Sequence, residues 1–558
     1  MDLVASLVAK SLVVVYGVAA GVTRYRLLEP IRQYAARELD DQATERLCGR
    51  FIDYWSATLA ALYDTSGRVV RRNYEPAMSL EVDQADITTT IEWALAAGRI
   101  DDAMAILASP FGDLLLLQGS AFEPVSRGTD LALEHRESIS PGNLLWALEV
   151  AGGIACSVSE NETWLGYATL GIENARSTEE RHWFELNAAI ATDRLGRHDD
   201  AAKMLDRIID QADDPGLSAS ALLAQAEHEV PKQAWSLTQR AMEISPIDSL
   251  AWWGEESAAW AIGKAAADSG RYDVAAQMEE RSAELSRRCG WRVQECHAIA
   301  VLSRVYAARG RLDEAAALIA EAIPVARRIL GPNFTALVVL LRAADIARLR
   351  GDFSKARGYV EEARRSVERH DIQAQGMVAA TYQAALIARD DQDRANARKL
   401  LDGLIRTFVV SGQASERVSL SQVHNARASV ELRRTDPIRA LEDLGEVLAE
   451  SRQLSHLDTV DAVDLVAIAF AQQERAELAA RLKGSIDHER DESGLAGYPP
   501  DESLRDEWMR HAQSILIDDW AAAVERGRAM TLDDAVELAN TEAHSGRESR
   551  PRARHFGG

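Results

Sequence analysis

Cysteine, aromatic residues and basic charge are all scarce in this 558-residue sequence, and each shortage excludes something. Cys48, Cys156, Cys289 and Cys296 are too few and too scattered for a disulfide framework, so buried thiols in a reducing cytosol are expected. Cys289, Cys296 and His297 lie close together, but Gly290 and Trp291 interrupt the helix between them. No fourth ligand follows, and no metal site is expected. Against 87 acidic residues stand 63 Lys and Arg, a net charge of −24, and a surface of that sign does not wrap phosphate backbones. Sustained period-two alternation is almost absent after residue 30, which leaves no α/β nucleotide sheet. The phosphate cradle G-x-x-x-x-G-K-[ST] does not occur. Its nearest fragment, Gly263-Lys264, is followed by alanines inside a predicted helix. Gly-x-Ser-x-Gly and His-Glu-x-x-His are missing too. The acid pairs Asp199-Asp200, Asp390-Asp391 and Asp533-Asp534 fall at turns or helix starts, where they cap and complement the helix dipole. His182 and His297 read as packing residues. No enzyme, cofactor or metal chemistry is expected.

What the chain does have is alanine, leucine and a repeating turn. Val301–Asn333 reads as two helices joined at Gly310, with Leu302, Val305 and Tyr306 before the turn and Leu312, Ala315, Ile319 and Ala322 after it. Five, nine and twelve positions beyond Gly310 stand Ala315, Ile319 and Ala322. The same pattern follows Gly351 (Ala356, Val360, Ala363) and Gly196 (Ala201, Leu205, Ile208). Gly270 gives Ala275, and Gly98 gives Ala103 and Leu107. Gln392 gives Ala397, Leu401 and Leu404; Thr435 gives Ala440, Leu444 and Val447; Glu229 gives Ala234 and Ala241. A small residue at the fifth position lets two antiparallel helices approach closely. Successive turns from Gly270 to Thr435 are 40, 41, 41 and 43 residues apart. The pattern resembles the tetratricopeptide repeat with lengthened helices, and it implies an all-α solenoid of antiparallel helix pairs.

The first residues differ. Ser11–Val22 is apolar and follows Lys10, as a signal-peptide core does, but it is too short to span a bilayer and its flanks are wrong. The preferred reading is a hairpin of strands Ser11–Val15 and Thr23–Leu28 around a Gly17–Gly21 turn, followed by a helix near Glu29 with Pro30 in its first turn. The wording of residues 6–15 and 24–41, SLVAKSLVVV and RYRLLEPIRQYAARELDD, resembles the end of the winged helix in bacterial STAND-type ATPase regulators of the LuxR or adenylate-cyclase-associated kind. Ile91–Leu95 resembles that family's Leu-x-Trp-Ala-Leu, although Ala85 and Asp86 replace the usual Asp-Asn, with Asp86 still able to cap a helix. Ala479–Asp487 and Trp520–Leu538 are similar to the segment that closes its sensor region. The resemblance covers residues 1 to about 540 but neither the family's P-loop ATPase nor its C-terminal helix-turn-helix.

These readings divide the chain into a partial winged helix (1–39), an irregular helical linker with first repeats (40–180), TPR-like repeats (181–485), closing helices (486–540) and a disordered tail (541–558). The tail's arginines are read as solubilising. Trp252, Trp253 and Trp260, at helical spacing, are either core packing or an aromatic patch for a ligand or partner. The resemblance implies a cytoplasmic, non-enzymatic sensor that binds a small effector or a protein partner, such as a separate ATPase or DNA-binding subunit. The acidic charge and the lack of a spanning segment leave no direct contact with nucleic acid or membrane expected. An exported helical scaffold and a truncated relic of a regulator are the alternatives.

Overall fold

A computed structural model describes residues 2–19, 22–62, 83–109, 122–157, 160–227, 229–246, 255–288, 291–328, 335–369, 373–411, 418–497 and 499–548. Among them all regular structure is helical, apart from one β-hairpin. The contacts separate into two units, Met1–Met204 with Arg287–Trp291, and Leu205–Ser286 with Arg292–Gly558.

The first unit opens with α1 (Asp2–Ala9), β1 (Val13–Ala19), β2 (Val22–Leu27) and α2 (Glu29–Glu38). β1 and β2 pair antiparallel, Val13 opposite Leu27 and Val15 opposite Tyr25, and a bulge at Val15/Gly17 shifts the register. The expected hairpin is there, but its first strand runs on through Gly17 to Ala19. Then come α3 (Asp41–Leu62), α4 (Gln84–Ala96), α5 (Ile100–Leu107), α6 (Phe122–Glu134), α7 (Pro141–Ser157), α8 (Asn161–Asn174) and α9 (Thr178–Arg194). Asp83 is the N-cap of α4 and Asp86 lies inside its first turn, so the expected cap at Asp86 is displaced by one turn of phase. Where α8 meets α9, a Cβ on Gly171 would fall 2.2 Å from the Phe184 ring, so only glycine lets that buried ring lie flat on the helix.

The boundary falls inside α10 (His198–Gln211), and the second unit continues with α11 (Pro215–Ala226), α12 (Pro231–Ile244), α13 (Glu255–Asp268), α14 (Tyr272–Arg288), α15 (Arg292–Ala308), α16 (Leu312–Ala326), α17 (Thr335–Leu349) and α18 (Phe353–Arg369). It continues through α19 (Gln373–Asp390), α20 (Arg394–Ser411), α21 (Leu420–Leu432), α22 (Pro437–Ala449), α23 (His456–Gln472) and α24 (Ala476–Ser493). The last helices are α25 (Pro499–Leu516), α26 (Trp520–Arg528) and α27 (Leu532–Glu548). The disordered tail expected from residue 541 is corrected in part. α27 continues to Glu548 because Ala535, Ala539 and Ala543 extend one buried stripe, while 549–558 lie outside the described residues.

The turns explain the repeat. Gly98, Gly196, Gly270, Gly310 and Gly351 all take positive φ, and so do Gln392 (64°), Thr435 (56°) and Glu474 (61°). At each, the next residue's N–H reaches back five positions to a helix carbonyl, Arg311 to Tyr306 at 2.9 Å and Asp436 to Glu431 at 3.0 Å, which is the Schellman closure. Glu229 has no left-handed turn; Pro231 starts α12 there instead. Glu474 is a member the sequence pattern did not supply, because Lys483 occupies the ninth position where an apolar residue was sought.

Helices fall into two kinds. α14, α16, α18, α20 and α22 bury one stripe and show solvent the other, as Ala315, Ile319 and Ala322 on α16 illustrate. α15, α17, α19, α21 and α23 are packed on nearly every side; on α23, Ala462 to Ala471 is buried without a break. These inner helices stand side by side, and α13 comes round to meet α23. Tyr272 Oη lies 3.1 Å from His456 Nδ1, and His456 Nε2 lies 2.7 Å from Glu489 Oε1. The second unit is therefore a solenoid closed into a ring. Behind α23, α24 and α26 touch backbone to backbone: a Cβ on Gly484 would sit 2.0 Å from the Val524 carbonyl oxygen, and one on Gly527 1.9 Å from that of Arg481.

Candidate functional site

Closing the ring leaves a cavity of about 340 Å³ inside it, within the range of sites for small ligands. Its walls are single faces of the inner helices. α17 presents Leu341, Arg342, Asp345 and Arg348; α19 presents Tyr382, Gln383, Leu386 and Arg389; α21 presents Gln422 and Asn425; α23 presents Asp458, Asp461 and Asp464. Residues three or four apart share a face of a helix, so each set projects inward together. Arg304 of α15 joins the wall. Ala496, Gly497 and Asp501 close it from the segment after α24, where Ala496 N donates to Ala308 O at 2.9 Å.

Most of this charge is matched. Arg342 Nη1 lies 2.9 Å from Asp345, and Arg348 bonds both Asp345 and Asp390. Arg389 donates to Asp390 at 2.8 Å. Arg304 pairs with Asp268 at 2.9 Å, Arg490 and Arg505 hold Asp464 at 3.0 and 3.1 Å, and Arg433 holds Asp501. Burial alone would raise the Asp345 and Asp390 carboxyls. Arg348 with Arg342, and Arg389 with Arg348, hold them below the ordinary range instead.

Two carboxylates stand outside this matching. Asp458 accepts from Ser455 Oγ at 2.8 Å and Gln422 Nε2 at 3.2 Å, but has no ion pair among the described residues. Asp461, half-buried, has neither an ion pair nor a hydrogen bond from any described residue. Burial pushes the Asp458 carboxyl up, and burial together with Asp458 pushes that of Asp461 up to about 7. Elsewhere on the cavity-lining residues, the buried side-chain oxygens of Gln383 and Asn425 accept no hydrogen bond from the described residues, and the Nε–H of Arg342 donates none to them.

Of the residues singled out from sequence, Trp252 and Trp253 lie outside the described residues. Trp260 lines a separate cleft of about 40 Å³ between α11, α12 and α13, with Pro231 and Lys264. Cys296 is buried in α15, its thiol pushed up to about 12 by burial, while Cys289 lies outside the described residues. His297 faces Thr335, its Nε2 3.4 Å from the hydroxyl, and His182 is buried in α9. The cavity residues went unnoticed in the sequence. Their signal was Arg342-x-x-Asp345-x-x-Arg348 and Asp458-x-x-Asp461-x-x-Asp464, charges at helical spacing inside otherwise apolar helices.

Comparison with known proteins agrees with the repeat. Residues 296–369, α15 to α18, match the tetratricopeptide-repeat family. A 109-residue stretch, 20% of this chain, is 33% identical to proteins named as HTH-type transcriptional regulators in Mycobacterium tuberculosis and Mycobacterium bovis. That match spans only 12% of the length of those relatives. Among solved structures, a Rap protein complexed with competence and sporulation factor is 15% identical, with a TM-score of 0.47 over 62% of this chain and 97% of that one. The apo quorum sensor NprR from B. thuringiensis is 12% identical, with a TM-score of 0.37 over 73% of this chain and 99% of that one. Among the described residues no helix is long and apolar enough to cross a membrane.

Proposed function

We propose that this chain is the sensor portion of a transcriptional regulator of the STAND kind, a cytoplasmic and non-catalytic module that binds an effector inside its ring of helical repeats. The observation that carries the reading is the cavity: inner helices that are buried along most of their length converge charged and amide groups on one space. The partial match to HTH-type regulators supports the regulatory part. A ring closed between α13 and α23 also gives the signal a route. A ligand bridging the inner helices changes how firmly the seam at Tyr272 and His456 holds, and an attached ATPase or DNA-binding partner reads that change.

A thermal-shift screen of the purified chain against metabolites and short peptides, run beside Asn425→Leu, tests this. The Asn425 oxygen accepts no bond, so the variant is expected to fold. At least one compound should raise the melting temperature of the chain and act more weakly on the variant. If every stabilising compound acts equally on both proteins, the cavity is not the sensing site.

A further inference from the structure

Taking the cavity reading as its basis, we infer that the ligand carries a protonated amine or guanidinium, seated between Asp458 and Asp461 on the inner face of α23. The argument is one of subtraction. The cavity holds arginines and aspartates in similar numbers, yet every arginine on its wall already has a carboxylate partner. After those pairs are removed, the charge that remains is negative and sits at two carboxylates one helical turn apart. A buried charge without a counter-ion is costly unless something else supplies one, and among the described residues no ion pair does.

The neutral groups around the pair point the same way. Gln383 on α19 and Asn425 on α21 line the same space as Asp461, and the side-chain oxygen of each accepts no hydrogen bond from any described residue. An ammonium or guanidinium brings three to five N–H groups and satisfies several of them at once. A bare metal ion fits less well, since among the described residues no group of three His, Cys, Asp or Glu is placed to hold one. The Nε–H of Arg342 also donates to no described residue, so the ligand offers an acceptor such as an amide carbonyl on its other side. A basic amino-acid amide or the basic residue of a short peptide has both. The upward displacement of the Asp461 carboxyl, caused by burial and by Asp458, is the electrostatic counterpart of the same vacancy of charge.

Isothermal titration at pH 8, above the value of about 7 to which Asp461 is pushed, tests the inference with agmatine, the peptide Ala-Arg-Ala and the peptides Ala-Gln-Ala and Ala-Glu-Ala. Ala-Arg-Ala, agmatine or both should bind at least tenfold tighter than the neutral and acidic peptides. That preference should vanish in Asp461→Asn and survive in Asp273→Asn, an exposed carboxylate outside the cavity. Binding by agmatine alone assigns a small cation, and binding by the peptide alone assigns a basic peptide. Equal affinity for the neutral peptide, equal competition by potassium or calcium chloride, or no binding of either cationic probe at millimolar concentration overturns the inference. In each case the library screen with Asn425→Leu still decides separately whether the cavity senses anything.

Discussion

α17 carries Asp345 into the interior of the ring, with Asp390 of α19 buried behind the wall against Arg348 and Arg389, and α23 carries Asp458 and Asp461 into the same interior. On the first wall, Arg342, Arg348 and Arg389 lie against the carboxylates and keep them ionised. On the second, Arg490 and Arg505 are engaged by Asp464 and Arg304 by Asp268, and burial pushes the two remaining carboxyls up. The same residue type in the same cavity is thus structural on one wall and unfinished on the other. What separates them is the supply of counter-ions, not depth. A neutralised wall holds helices together; an unneutralised one is where the proposed ligand would complete the chemistry.

The largest break in this comparison is Asp390→Asn. It would leave Arg342, Arg348 and Arg389 with Asp345 as their one buried partner, and urea denaturation at neutral pH should show a loss of roughly 3–5 kcal/mol. A smaller effect comes from behind the acidic wall. Gly527→Ala forces apart α24 and α26 at their backbone contact, and should cost about 1–3 kcal/mol by the same denaturation. It should leave the pH dependence of stability unchanged, because no cavity carboxylate moves between environments. A Gly527→Ala protein with an altered pH profile would mean that the acidic wall is held by its backing rather than by its own charges.

The repeat was legible because turns and amphipathic helices leave local marks. Gly310 and Ala315 announce a hairpin, and Gln392 and Thr435 kept the period visible even though neither is glycine. Glu474 was missed for a local reason too, since Lys483 stands where an apolar residue was sought. The cavity was illegible for a different reason. Arg348 matters through Asp390, 42 residues further along the chain, and Asp461 through the lack of a partner among the described residues, and a sequence does not show which charges meet. Gly484 and Gly527 lie between these cases. Their surroundings were noticed as a resemblance, AARLKGSID with WAAAVERGRAMT, but the need for both glycines appears only when α24 and α26 are seen to cross at them.

The most direct test of the unfinished wall is small in magnitude and specific in sign: the stability of the chain and of Asp461→Asn, measured by urea unfolding from pH 4 to pH 8. A carboxyl whose folded value lies near 7, above the unfolded value of about 3.9, gives stability that is complete below pH 4 and is lost as pH rises toward 7. The native chain should therefore lose stability relative to Asp461→Asn across that interval, and the variant should be equally stable or more stable at pH 8. Parallel curves, or a native chain that gains on the variant as pH rises, would mean that Asp461 already has its counter-ion and that the cavity is closed chemistry.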